Sequence, residues 1–232
     1  MKSLFKIVAA GIVLVASCQA ASEGSRIDLP EATLEGMSVE KALATRRSVR
    51  SYSADSLSLL EFSQILFAAQ GITGARGRVG LRTAPSAGAT YPMEIYAFAN
   101  RVSGLEQGVY HYLPQDHALE FLKAGSYGDS LSDACLGQSM PREAAVSLVL
   151  AAVPERTTAS YGTRGIRYIH MEAGHISQNI CLEATSLGMG AVPIGAFDDA
   201  EVDRLIGADG EHEVSLYVNS IGKMEAKRGD HN

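Results

Sequence analysis

Three arginines and a serine stand within five residues, in the run Arg46-Arg47-Ser48-Val49-Arg50. A guanidinium is a planar fork of donors that matches phosphate oxygens, and a serine hydroxyl can close the remaining side of such a cradle. Arg46, Ser48 and Arg50 lie close enough in sequence to meet one anion together, with Arg47 flanking them. A doubly charged phosphate monoester needs two or more cationic donors, which this run can supply. Near the end of the sequence, Lys227 and Arg228 read as solvated tail charges. Taken alone, the arginine run reads as readily as a solvated basic cluster.

A second stretch, Arg82-Thr83-Ala84-Pro85-Ser86-Ala87-Gly88-Ala89-Thr90-Tyr91-Pro92, has a different character. Its small residues Pro85, Ser86, Ala87 and Gly88 let backbone approach a flat ring closely, with donors aimed at the rim. A plain turn before a strand uses the same residue types. The third stretch is Met189-Gly190-Ala191-Val192-Pro193-Ile194-Gly195-Ala196. It follows a predicted helix and is rich in glycine, so it reads as a loop whose backbone N–H groups are free to donate. The alternative is a buried strand whose glycines serve packing.

Together the first two segments resemble the nitroreductase family of flavin enzymes. That resemblance implies an α+β fold: an α-β sandwich with a central, mainly antiparallel sheet flanked by helices, in an intertwined homodimer. It implies FMN as cofactor, with Arg46, Ser48 and Arg50 at the phosphate and ribityl chain, Arg47 lining the flavin, and Lys223 completing the clamp. Pro85, Ser86, Ala87 and Gly88 would lie against the flavin from the second subunit, and the segment holding Pro193, Ile194 and Gly195 would face flavin N5. The implied activity is transfer of hydride or electrons between a small-molecule donor, such as NAD(P)H, and an acceptor, by a ping-pong mechanism.

Further segments sharpen the likeness. Tyr161-Gly162-Thr163-Arg164-Gly165-Ile166-Arg167-Tyr168, Glu172-Ala173-Gly174-His175, Gln178-Asn179 and Gly195-Ala196-Phe197-Asp198-Asp199 are similar to the thiazole/oxazole-forming (azoline) dehydrogenase-like subgroup. The likeness spans about residues 40 to 223, nearly the whole mature chain. In those enzymes a Lys-Tyr pair acts as base. Here Ser160 stands at the lysine position and only Tyr161 remains, as the candidate for protonating substrate. A serine offers no basicity at neutral pH unless something activates it. An azoline-type peptide dehydrogenase, and a non-catalytic flavin- or ligand-binding lipoprotein on the same fold, are the alternative readings.

These segments need a scaffold. Ser38 to Thr45 reads as a short helix capped by its serine, delivering the arginines. Leu57 to Gln70 has helical apolar spacing with one wet face. Gly71 to Arg82 reads as a flexible loop, without the order of a dinucleotide fingerprint. Met93 to Ala99 reads as a strand, and Gly108 to Leu113 with Ala118 to Lys123 as a hairpin. Ser126 to Leu136 is a weaker helix. The apolar run Ala145 to Val153 predicts a strand buried on both faces. The longest helix is expected over about Ile166 to Leu187, closed by Gly188. Strands are expected over Ala191 to Phe197 and Glu213 to Ile221, around a helix near Asp199 to Ile206. Early hairpins with later crossovers imply α+β rather than alternating βαβ units.

The 232 residues carry a net charge of −6, which gives no electrostatic case for nucleic acid. Tryptophan is absent, so ring stacking falls to Tyr or Phe. Lys2 and Lys6 precede an apolar run from Ile7 to Val15, too short to span a membrane stably. The run closes on Val15-Ala16-Ser17-Cys18, which resembles a bacterial lipobox. The expected organisation is a signal peptide over 1–18, a tether and arm over 19–37, one domain over 38–224 and a polar tail over 225–232. Cys18 would carry a lipid anchoring the protein to a membrane in the bacterial cell envelope, periplasm-facing and with the outer membrane favoured. An ordinary secretory signal cut after Ala20 is the alternative. Cys135 and Cys181 lack metal-ligand spacing and read as buried small hydrophobes, and no metal site is expected. His170 and His175 are five residues apart, off the zinc-binding register of a helix.

Overall fold

The computed structural model describes residues 22–33 and 35–225. Cys18 and the apolar run before it, like Lys227 and Arg228, lie outside the described residues. In chain order the elements are β1 (Arg26–Asp28), α1 (Val39–Thr45), α2 (Leu59–Gln70), β2 (Ile72–Arg76), β3 (Val79–Arg82), β4 (Met93–Ala99), β5 (Gly108–Leu113) and β6 (Ala118–Ala124). Then come α3 (Gly128–Ala134), α4 (Met140–Glu143), β7 (Val146–Ala152), α5 (Glu155–Tyr161), α6 (Arg164–Ser186), β8 (Met189–Ile194), α7 (Asp199–Ile206) and β9 (Val214–Lys223).

The main sheet runs β1-β6-β5-β4-β7-β9-β8, and each neighbouring pair is antiparallel. Alternation along each strand gives the sheet two apolar faces. Ile95 and Ala97 of β4, Leu148 and Leu150 of β7, and Ala191 of β8 face α2 and α6, meeting Phe62, Ile65, Leu66, Ile169, Ile176 and Ile180. Tyr96, Phe98, Val149, Val192 and Val218 point the other way, onto Leu131 of α3, Met140 of α4 and Val202 and Leu205 of α7. Every residue of β7 is buried, because helices cover both sides of this central strand. The result is the expected α+β sandwich, with helices on either side of one sheet.

Local chemistry explains why the helices start where they do. Ser38 Oγ accepts from Lys41 N at 3.3 Å, capping α1. Ser58 and Glu61 form a reciprocal capping box at α2, with Glu61 N donating to Ser58 Oγ at 3.2 Å and Ser58 N to Glu61 Oε2 at 2.8 Å. Gly188, just past α6, takes φ +71°, the left-handed conformation that ends a helix.

Two expectations are corrected. Residues 72–82, read as a flexible loop, form the β2–β3 hairpin, with Gly77 at φ +63° in its turn. Residues 189–194 are the edge strand β8, paired with β9 from Met189↔Lys223 to Ile194↔Val218; the strand expected over Ala191 to Phe197 is there, starting at Met189 and ending at Ile194, and the reading of the same stretch as a glycine-rich loop with free N–H groups gives way to it. Its Gly190 has a packing reason: a Cβ there would lie 2.6 Å from Val49 Cγ1. Cys135 and Cys181 are both buried, as expected, and both are free thiols.

Candidate functional site

The arginine run leaves the C-terminus of α1 and lies along the free edge of β8. Ser48 forms a parallel bridge with Ala191, and Val49 N donates to Ala191 O at 3.0 Å. Three residues later Tyr52 turns into the core. Its hydroxyl lies 2.9 Å from both Val49 O and Ser220 O, and it donates to these carbonyls. Gly222 makes room for this ring: a Cβ there would meet it at 2.9 Å. Ser53 N donates to Lys223 O at 2.9 Å. The segment 48–53 is thus stapled to β8 and β9 by its backbone and by Val49 and Tyr52, leaving the polar side chains between them to face outward.

Ser48 and Arg50 are exposed and Arg46 is half-buried. Among the described residues, none of these three side chains makes a hydrogen bond or ion pair. Arg47 differs: its Nη1 donates to Arg46 O at 2.7 Å and to Ala44 O at 3.3 Å, so it braces the end of α1. Lys223 reaches the same corner through β9 but is ion-paired to Glu61 of the α2 capping box. Burial pushes the Glu61 carboxyl up, and hydrogen bonds from Lys223 and Ser58 more than reverse this, leaving it below the ordinary carboxylate range. Lys223 is therefore near the cradle but committed elsewhere.

The second group forms around the turn at Pro85, Ser86, Ala87 and Gly88. Ser86 Oγ accepts from Tyr91 N at 2.9 Å, which closes the turn. Gly88 sits at φ +60°, and a Cβ there would lie 2.6 Å from the Tyr161 hydroxyl. Only glycine satisfies both conditions, and the Tyr161 hydroxyl therefore stands directly over this turn. Tyr161 ends α5 and packs edge-on against Tyr168, with ring centroids 5.2 Å apart. Thr90 Oγ1 and Thr157 Oγ1 share a hydrogen bond at 2.8 Å, tying the turn to α5 from the other side. Ser160, at the position expected to hold a lysine, is exposed.

Pro193 and Ile194 belong to β8, and the Ile194 side chain is buried on the α3/α7 face of the sheet. An approach to a ligand by Ile194 is thus by backbone only. Gly195 is exposed just beyond the strand.

The two groups lie against different stretches of α6. Arg46 lies near Cys181 on α6, whereas the Ser86 turn faces Glu172 on the same helix. Those positions are about two and a half turns apart, or about 14 Å along the axis.

Residues absent from the expected set complete the second group. Glu172 is 2% exposed, and burial pushes its carboxyl up to about 7, with Ser86, Arg82 and Gln70 pulling it back. Arg82 Nη1 donates to Gln70 Oε1 at 2.7 Å, and its guanidinium carbon lies 4.6 Å from the centre of the Tyr91 ring. A signal for Glu172 does exist in the sequence: it is an acid on the same apolar stripe as Ile169, Ala173 and Ile176.

Comparison with known proteins agrees with this architecture. Residues 43–223 match the family model described as Nitroreductase family. A nitroreductase-type protein of Methanocaldococcus jannaschii is 47% identical over 180 residues, covering 78% of this chain and 88% of that protein. The Microcin B17-processing protein McbC of Escherichia coli is 30% identical over 149 residues, which are 62% of this chain and 54% of McbC; the chain thus spans about half of that relative. The crystal structure of a nitroreductase-type protein of Ralstonia eutropha superposes with a TM-score of 0.76 at 26% identity, covering 89% of this chain and 93% of the other. With the model match spanning the cradle, the Ser86 turn and every strand from β4 to β9, the chain belongs to the nitroreductase family.

Proposed function

We propose that this protein is an FMN-dependent oxidoreductase that works as a homodimer, exchanging electrons in ping-pong fashion between a small-molecule donor and an acceptor. The observation that carries this reading is the cradle. Arg46, Ser48 and Arg50 present two cations and a hydroxyl, with no side-chain partner among the described residues, on a backbone fixed to the sheet. Such a donor set suits a phosphate monoester, and its fixed backbone spares the ordering cost of binding. When bound, the flavin supplies the two-electron redox chemistry, while the chain supplies binding, orientation and exclusion of water.

In this reading Arg46, Ser48 and Arg50 hold the phosphate, with Arg47 bracing the helix end beside them. Lys223 joins them only by exchanging its partner Glu61. The small side chains from Pro85 to Gly88 offer a flat surface to a ring, and Gly195 offers backbone beyond β8. The Tyr161 hydroxyl, standing over Gly88, is placed to hand a proton to a substrate lying on that surface. The separation of the two groups along α6 supports an assembly in which the turn of one subunit closes over the cradle of the other.

The test is direct. Purified protein supplemented with FMN is expected to turn yellow, to run as a dimer, and to bleach on adding a reductant such as NAD(P)H or a quinol. A sample that stays colourless and monomeric sinks the reading. The match to McbC, together with Tyr161 beside the turn, favours azoline oxidation as a second reading. It predicts that Ser160→Lys raises turnover on heterocyclised peptides. We further propose, from the lipobox-like sequence, that Cys18 is lipidated and tethers the enzyme in the cell envelope. On that proposal Cys18→Ala moves the protein from the membrane to the soluble fraction.

A further inference from the structure

Helix α6 carries an acid where an apolar residue is expected. Glu172 sits on the helix face packed against the sheet, between Ile169 and Ile176. Glu172 Oε1, Gln70 Nε2 and Arg82 Nε make no hydrogen bond of good geometry among the described residues; Ser86 and Gln70 approach the carboxyl only loosely. These groups share one buried patch, because Gln70, Arg82 and Ser86 all act on the Glu172 carboxyl. An acid kept only for structure would be expected to close a bidentate pair with Arg82. Arg82 instead commits Nη1 to Gln70 and lays its guanidinium on the Tyr91 ring. The patch opens into a cavity of 220 Å³, lined by Pro85, Ser86, Ala87, Tyr168, Met171 and His175 as well as Glu172. Ser86 Oγ already accepts from Tyr91 N, so the hydroxyl proton is left to point to the carboxylate or to the cavity. The charged or titratable groups facing Glu172 are Arg82 of β3 and, across the cavity, Tyr168 and His175; Gln70 and Ser86 are neutral.

We propose that Glu172 stores the proton that accompanies reduction of the acceptor and delivers it through the Ser86 hydroxyl into this cavity. The inference rests on the oxidoreductase reading. For a quinone-type acceptor and a reduced nicotinamide donor, two electrons and one proton leave the donor as a hydride equivalent. The second proton comes from the Glu172 O–H bond, which breaks as an O–H bond forms on the acceptor. The carboxylate regains its proton from solvent through the cavity. A buried acid that ionises near neutrality is suited to this exchange, because it is neither permanently charged nor permanently protonated at working pH.

Two measurements test it. Infrared difference spectra of the purified protein, taken without turnover, are expected to show a protonated carboxyl band that titrates near neutral pH and is missing in Glu172→Gln. In FMN-loaded protein, acceptor reduction is expected to fall as pH rises through about 7. Glu172→Gln should lower turnover about a hundredfold and flatten that limb. Glu172→Asp should restore part of it. Ser86→Ala, which removes the relay hydroxyl but keeps the Glu172 carboxyl, should keep a protonated carboxyl band, moved to higher pH by loss of the Ser86 contact, and lose the limb, so the test survives a Gln variant that folds poorly. A carboxyl that titrates in the ordinary acid range overturns the proposal, as does a pH limb unchanged in Glu172→Gln. Absence of any reduction by FMN-loaded protein, with the infrared band intact, instead overturns the oxidoreductase reading, and the proton store falls with it.

Discussion

The arginine cradle and the Ser86–Glu172 patch solve opposite problems. The cradle keeps its polar side chains at the surface and fixes only their backbone, through Val49 N to Ala191 O and Tyr52 to Ser220 O. Its unpaired groups cost little, because water solvates them until an anion arrives. The patch hides Glu172, Gln70 and Arg82 atoms from water and leaves one on each residue without a hydrogen bond of good geometry. Unpaired buried polar atoms are expensive, on the order of 1–3 kcal/mol each. The contrast teaches how to read polar residues in this fold. The cradle holds charge ready on a rigid strand edge. The patch holds a titratable carboxyl away from bulk water.

The contrast can be broken at several points, and the largest effect belongs to the cradle. Arg46→Ala with Ser48→Ala removes two donors of the proposed phosphate cradle while touching no side-chain bond among the described residues. FMN affinity, followed by flavin fluorescence, should fall about a hundredfold with no change in unfolding midpoint. Gly190→Ala attacks the same region from below. The added methyl lies 2.6 Å from Val49 Cγ1, so the segment must lift off β8. A loss of about 1–3 kcal/mol in denaturant unfolding is expected, together with weaker flavin binding.

The patch predicts a pH effect of definite sign. Glu172 has its folded-state pKa raised, so the folded protein holds a proton that the unfolded chain releases. Wild-type stability should therefore decline as pH rises from the ordinary carboxylate range to about 7 and then level off. Glu172→Gln should remove that slope in thermal unfolding measured across the same range. Glu61 predicts a smaller effect of opposite sign. Its folded-state pKa is depressed, so its contribution is present at neutral pH and fades as pH falls below about 4. Glu61→Gln should shrink the acid loss of stability, and, if Lys223 joins the clamp on exchanging partners, should also tighten FMN.

What could be read from residues alone followed from burial. β4, β5 and α7 fall where alternation and capping place them, and β7 was legible as an apolar run because both its faces are covered. The β2–β3 hairpin was not legible because it buries almost nothing: β2 is exposed beyond Ile72, so no apolar alternation marks it. β1 is three residues long, and its identity comes from its pairing with β6 rather than from its own composition. α5 begins on Pro154 without a side-chain cap and buries only Thr157, so it gave no periodic signal. At β8 the strand expected from Ala191 is present, while the competing loop reading failed because glycine usually means freedom, whereas Gly190 is small to admit Val49. In the site, the arginines announced themselves by charge density. Glu172 stood out only as an acid on an apolar helix stripe, and its meaning depends on Gln70, Arg82 and Ser86, which only folding brings to it.

The lie of Ser48 and Val49 along β8 has a consequence for how this protein fails. β8 ends the main sheet, and a bare edge of this kind is a template for another chain. The opposite edge is β1, too short to recruit much. Here the arginine segment itself blunts the long edge, placing like charges where an intruding strand would need to dock. Variants that loosen this segment should therefore precipitate as well as lose colour, so poor solubility and cofactor loss would share a single origin.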